Sequence, residues 1–196
     1  MNVQRSITMS FEDYLAWEET QAEKHELVGG RPVLRRLRLM AGGTEFHAQI
    51  AANLVRAIGN RLAGGPCRVF GSDFKIRSPT GNARYPDVMI KCSEADGKSL
   101  FTTEPRVLME VLSASNASPL DQFRLLQDYK AFASVEYIVF LAQEQPQAVV
   151  WTRQDDDWAQ AEFDGLEETL ELPSLAVSLP FAEIYDGVAF EPPAEE

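Results

Sequence analysis

Phe46, Ile50, Leu54, Ile58 and Leu62 recur at every fourth position. That spacing is one face of an α-helix and of no other regular element. The helix they predict stops at Gly64-Gly65-Pro66. Upstream, Ser10 with Asp13 three residues later reads as a helix cap, opening a helix to about Lys24 with Phe11, Tyr14, Leu15 and Ala22 inward. Residues 25–28 read as a short strand closed by Gly29-Gly30. Residues 31–40, with Val33, Leu37 and Leu39 apolar, read as a second. Beyond the long helix come strand-like runs at 67–77, 86–91 and 106–112. Ser118-Pro119 places Ser at a cap and Pro in the first turn of a helix to about Phe132. Residues 137–142 and 148–152 form a predicted hairpin, and a last short helix falls near 181–185. Helices and strands mixed in this way predict an α/β or α+β class, a mixed central sheet flanked by helices.

The chain has 196 residues, 45% of them apolar, enough for a full core and too many for a disordered chain. One domain over 1–190 with a disordered acidic tail at 191–196 is expected. Apolar runs such as 137–142 are far too short to span a bilayer. Cys67 and Cys92 have neither CxxC nor metal-ligand spacing, which excludes disulfide scaffolds and zinc ribbons. Residues 1–19 carry no apolar leader, so a reduced cytoplasmic protein is expected.

Thirty acids against eighteen bases give a net charge of −12, which argues against a general nucleic-acid binder. The charge is unevenly spread. Residues 31–84 hold ten bases against Glu45 and Asp73, whereas residues 141–196 hold fourteen acids against Arg153 alone. Two arrangements fit: a basic face that holds phosphates, or arginines scattered over an acidic surface.

Two acids lie inside otherwise apolar strands, Asp87 in Tyr85-Pro86-Asp87-Val88-Met89-Ile90 and Glu110 in Val107-Leu108-Met109-Glu110-Val111-Leu112. A carboxylate is costly to bury unless it is paired or bound to a cation. On adjacent strands the two would supply the oxygen ligands that Mg2+ or Mn2+ takes. Alternatively, each meets an arginine at a sheet edge.

The Tyr-Pro-Asp-Val-Met-Ile run, followed some twenty residues later by Val-Leu-Met-Glu-Val-Leu-Ser, resembles the PD-(D/E)XK nuclease pattern. An ordered series of further segments is similar to the bacterial Uma-two family of restriction-endonuclease-like proteins. These are Lys24–Gly30, Ala41–Thr44 with His47, Cys67–Asp73, Arg84–Val88, Glu110–Ser113 and Glu183–Val188. The resemblance implies a restriction-endonuclease-like core in which Asp87, Glu110 and the main-chain oxygen of Val111 hold a divalent ion, Mg2+ or Mn2+. It places Glu26 near the same ion. His47 is either a catalytic group or a boundary histidine hydrogen-bonded to backbone.

One departure stands out. The pattern wants a lysine two residues past the second acid, and position 112 is Leu. Relatives move that lysine onto the next helix, four residues before a tyrosine; Tyr129 is present, but the lysine position is Leu125, on a line with Asp121. Arg124 is one residue off that line. Lys75 is the better replacement, because two residues along a strand return to one face, so Lys75 and Asp73 both look into the site or pair with each other. The implied activity is a metal-dependent endonuclease on DNA, slowed by the missing lysine, with Arg35, Arg36 and Arg38 on backbone phosphates. Low sequence specificity, no membrane contact and a homodimer are expected with it. The alternative is an inactive nuclease-fold module that binds nucleic acid or a protein.

Overall fold

The computed structural model describes residues 8–35, 44–112 and 118–190. The chain opens with α1 (Phe11–Glu18), β1 (His25–Val28), β2 (Arg31–Leu34) and α2 (Glu45–Leu62). It continues through β3 (Arg68–Gly71), β4 (Lys75–Arg77), β5 (Ala83–Arg84), β6 (Val88–Lys91), β7 (Phe101–Thr102), β8 (Val107–Leu112) and α3 (Pro119–Lys130). Last come β9 (Tyr137–Ala142), β10 (Gln147–Gln154), β11 (Asp157–Asp164), β12 (Thr169–Leu172), β13 (Val177–Pro180) and α4 (Phe181–Ile184). The architecture is mixed α+β.

A six-stranded sheet in the order β11-β10-β9-β8-β6-β3 forms the centre, with β8 and β9 parallel and the other neighbours antiparallel. Along β8 the side chains alternate. Val107, Met109 and Val111 join the core under α2, while Leu108 joins the core under α3. The stripe on α2 sends Ile50, Leu54 and Ile58 into the first of these cores, each worth roughly 1.5–3 kcal/mol of burial. Leu125, Tyr129 and Phe132 close the opposite face. Glu110 has the parity of Leu108, so it faces α3.

A five-stranded sheet in the order β2-β1-β5-β4-β7 lies alongside, with Phe11 and Tyr14 of α1 packed on Leu27 and Ala83. Gly29 and Gly30 both take positive φ, +57° and +74°, which a two-residue hairpin turn between β1 and β2 requires.

Several expectations are corrected. The first helix stops at Glu18, not Lys24, where the Glu19 N–H turns back to the carbonyls of Leu15 and Trp17. The run 67–77 is two strands in two different sheets, because the chain turns with the Phe74 N–H directed to the Gly71 carbonyl. Cys67 and Cys92, expected to be reduced, flank the Arg68–Lys91 pair of the β3–β6 ladder and are joined as a disulfide. The second strand ends at Leu34, and residues 36–43 and 191–196, with the expected tail, lie outside the described residues. Among the described residues no helix is long and apolar enough to cross a membrane.

Candidate active site

The β6–β8 ladder pairs Val88 with Met109, and its continuation sets Asp87 opposite Glu110. Pro86 has no N–H and cannot extend the ladder. The Val111 carbonyl therefore receives no ladder bond from Pro86, while the Val111 N–H turns to the Asp87 side chain, donating to Oδ2 at 2.9 Å. The same oxygen lies 3.1 Å from His47 Nε2. Thr44 caps α2 by accepting the His47 N–H, which fixes this histidine in the helix's first turn beside the sheet end. Arg35, just past β2, donates from Nη2 to Asp87 Oδ1 at 3.2 Å and to the Tyr85 carbonyl at 2.7 Å. Burial alone would push the Asp87 carboxyl up, but His47, the Val111 N–H and the Arg35 charge together hold it below the usual aspartate range.

Glu110 is in the opposite condition. Burial and the neighbouring Asp87 charge push its carboxyl well above the ordinary glutamate value, and neither the Tyr129 hydroxyl nor Arg35 offsets them. Tyr129 O–H donates to Glu110 Oε1 from the face of α3. Glu26 of β1 adds a third negative charge that Glu110 feels. It is anchored by the Tyr85 N–H at 3.2 Å and by Arg84 at 2.9 Å. Arg84 is buried and binds Asp128 through Nε at 2.9 Å and Nη2 at 2.6 Å. Asn82 donates to Asp128 as well, at 2.7 Å.

The oxygens of Asp87 and Glu110 form a hard donor set. A residue in an antiparallel pair directs its N–H and C=O to the same side, so the Val111 carbonyl is directed toward Asp87. An all-oxygen set around two mutually repelling acids, Asp87 buried and Glu110 half-buried, suits a hard divalent cation. Among the described residues, no group of three or more His, Cys, Asp or Glu side chains could hold a metal ion. The fit therefore rests on two carboxylates and one main-chain oxygen.

The structure brings Asp87, Glu110, Glu26, His47, Tyr129 and Arg35 together. The His47 ring meets Asp87 through Nε2. Arg35, expected on DNA phosphates, has an 11% exposed side chain bonded to Asp87, and Arg36 and Arg38 lie outside the described residues.

The expected lysine replacement does not form. Lys75 is buried against Glu18 and sits over the rings of Tyr14 and Tyr85, and Tyr85 O–H also donates to Glu18 at 2.8 Å. Asp73 is exposed and pairs with Lys24. The turn after Gly71 is the reason, since it breaks the strand on which Asp73 and Lys75 were to share a face. Arg124 points outward to Asp121 at 3.5 Å, and Leu125 is buried in the core with Tyr129.

Asp128, and the role of Arg84 as its partner, escaped the sequence reading. Their signals are adjacency: Arg84 stands two residues before Pro86-Asp87, and Asp128 immediately precedes Tyr129. The concentration of bases at 31–84 is also partly met by acids in space. Arg56, Arg61 and Arg77 pair with Asp186, Glu183 and Glu12, acids drawn from the two ends of the chain.

The Uma2 family, described as "Putative restriction endonuclease", matches residues 11–182. An uncharacterized protein of Synechocystis sp., slr1290, is 35% identical over 192 residues, covering 93% of this chain and 94% of its own. The crystal structure of a putative nuclease belonging to DUF820 from Anabaena variabilis superposes with a TM-score of 0.71 at 15% identity. That match covers 92% of this chain and 99% of the other, and shows a shared fold.

Proposed function

The chain belongs to the Uma2 family of putative restriction endonucleases, and on that footing we propose that it is a divalent-metal-dependent endonuclease hydrolysing DNA phosphodiester bonds. The observation that carries this reading is the opposition of Asp87 and Glu110 at the end of the β6–β8 ladder, with Glu110 driven up by burial and by Asp87. Such a pair is poorly balanced by itself and is relieved by a cation between the acids.

Asp87, Glu110 and the Val111 carbonyl would hold Mg2+ or Mn2+. When bound, the ion supplies a water of lowered pKa and positive charge against the phosphoryl oxygens. The remaining work belongs to the chain. His47 and the Val111 N–H fix the orientation of Asp87. Tyr129 fixes Glu110, and Arg84 fixes Glu26, which is placed to orient water beside the ion. DNA as substrate implies a cytoplasmic location, with contacts mainly to the backbone and little sequence preference. A homodimer would bring one such site to each strand.

Purified protein should nick supercoiled plasmid only when Mg2+ or Mn2+ is present, and Asp87→Ala or Glu110→Ala should each abolish nicking. Cleavage that survives both substitutions would end this reading. A second reading, a nuclease-fold module that binds without cutting, draws on Leu125 buried in the core and Lys75 committed to Glu18. Metal uptake without cleavage of any DNA would favour it.

A further inference from the structure

Hydrolysis of a phosphodiester builds negative charge on the phosphoryl oxygens, and a fixed cation aimed there is worth about 10²–10³ in rate. The lysine candidates of this chain are elsewhere. Lys75 is closed off by Glu18 and two tyrosine rings, and position 125 is a buried Leu.

Among the described residues, the guanidinium that does reach the carboxylates is Arg35. It lies 3.2 Å from Asp87 Oδ1 and its charge acts on Glu110 as well. Three features suit it to more than neutralising Asp87. It is held independently of Asp87, through the 2.7 Å bond to the Tyr85 carbonyl and by its position over the Tyr85 ring, 5.6 Å from the centroid. Tyr85 is itself immobilised, its N–H on Glu26 and its hydroxyl on Glu18. Among the described residues both Arg35 bonds use Nη2, so the anchor on Tyr85 and the contact with Asp87 engage one corner of the planar fork.

Resting on the nuclease reading, we propose that Arg35 is the phosphate-contacting catalytic residue of this site. Its guanidinium stays anchored on Tyr85, gives up Asp87 Oδ1 to the metal and donates to a non-bridging oxygen of the scissile phosphate. The charge that the nuclease pattern carries on a lysine beside the second acid is thus delivered from the other sheet, from the end of β2.

The roles separate by what each loses. A residue that merely neutralises Asp87 is replaced by the metal, so its removal leaves metal affinity equal or higher and phosphate affinity untouched. A residue that contacts phosphate costs phosphate affinity and rate. The test uses the full chain as wild type, Arg35→Ala and Arg35→Lys. Mn2+ uptake and inorganic phosphate binding to the manganese-loaded protein are measured by calorimetry, beside plasmid nicking.

Arg35→Ala should take up Mn2+ at least as tightly as wild type, bind phosphate about tenfold or more weakly and nick about 10²–10³ slower. Arg35→Lys should recover part of both losses. Equal phosphate affinity in wild type and Arg35→Ala overturns the assignment. So does loss of Mn2+ in both variants, which marks a residue that only holds Asp87 in place. Wild-type protein that takes up no Mn2+ removes the nuclease reading and this assignment together, and it is the metal titration that tells that outcome apart.

Discussion

Glu26 and Asp128 on one side, and Asp87 and Glu110 on the other, are acids held at the junction of the same two sheets, yet they are balanced differently. Glu26 and Asp128 share the buried guanidinium of Arg84, and the Tyr85 N–H, Asn82 and Thr80 take up further lone pairs. That group is complete within the chain. Asp87 is bonded by Arg35, His47 and the Val111 N–H, whereas among the described residues Glu110 has one tyrosine hydroxyl and the Arg35 charge against two negative neighbours. The difference separates acids whose charge is met by a buried guanidinium of the chain from acids that still gain from a cation. A satisfied network gains nothing from an added cation, whereas the second pair does.

The comparison can be broken most severely at Arg84. Arg84→Met strands buried Asp128 and half-buried Glu26 and should cost about 3–5 kcal/mol of stability in urea denaturation. A loss below about 1 kcal/mol would mean that the network is not what supports the junction. Lys75→Met comes next. It leaves Glu18 buried with the Tyr85 hydroxyl and the His25 N–H, and should destabilise by about 2–3 kcal/mol. Because Lys75 belongs to the structural set, the refolded variant should keep wild-type Mn2+ affinity; loss of affinity without loss of stability would return Lys75 to the active site.

The smallest effect in stability is the most telling in sign. The Glu110 carboxyl sits above its ordinary value of 4.5 in the folded protein. Above 4.5 the folded state therefore keeps a proton that the unfolded chain has released, and stability falls as pH rises until Glu110 ionises in the folded state. Asp87 acts oppositely, with stability that is present above the usual aspartate value and lost as pH falls through its lowered one. Glu110→Gln should remove the falling arm and stabilise the metal-free protein at neutral pH by on the order of 1 kcal/mol, while abolishing Mn2+ uptake. In wild type, Mn2+ affinity should rise with pH across the same interval and release a proton on binding. A pH-independent titration, or a destabilised Glu110→Gln, would place Glu110 with the satisfied acids.

What was legible in the sequence was local. The four-residue stripe with Gly64-Gly65-Pro66 after it marks α2, the Ser118-Pro119 pair opens α3, and Asp87 and Glu110 stand out as acids in apolar strands. The resemblance added Asp87, Glu110 and Glu26 as members of one site, and the structure brings those three together. The strands β11, β12 and β13 were missed. Their exposed faces carry acids and Ser178, leaving too weak an apolar signal in segments of eight and four residues.

Periodicity, caps and turn residues act within a few positions, through hydrogen bonds and faces that the chain sets next to one another, so the sequence by itself determined the elements and the pair of strand acids. Charges choose partners from the whole chain after packing has brought distant segments together. Lys75 went to Glu18, 57 residues away, Arg35 to Asp87 across 52, and Arg84 to Asp128 across 44. One turn at Gly71–Phe74 decided that Lys75 would serve the second sheet rather than the site. The cation that faces Asp87 was a choice among ten bases that composition could not rank. Only the meeting of β2 with the end of β6 settled it, because a buried carboxylate takes whichever guanidinium the packed backbone delivers within hydrogen-bonding reach.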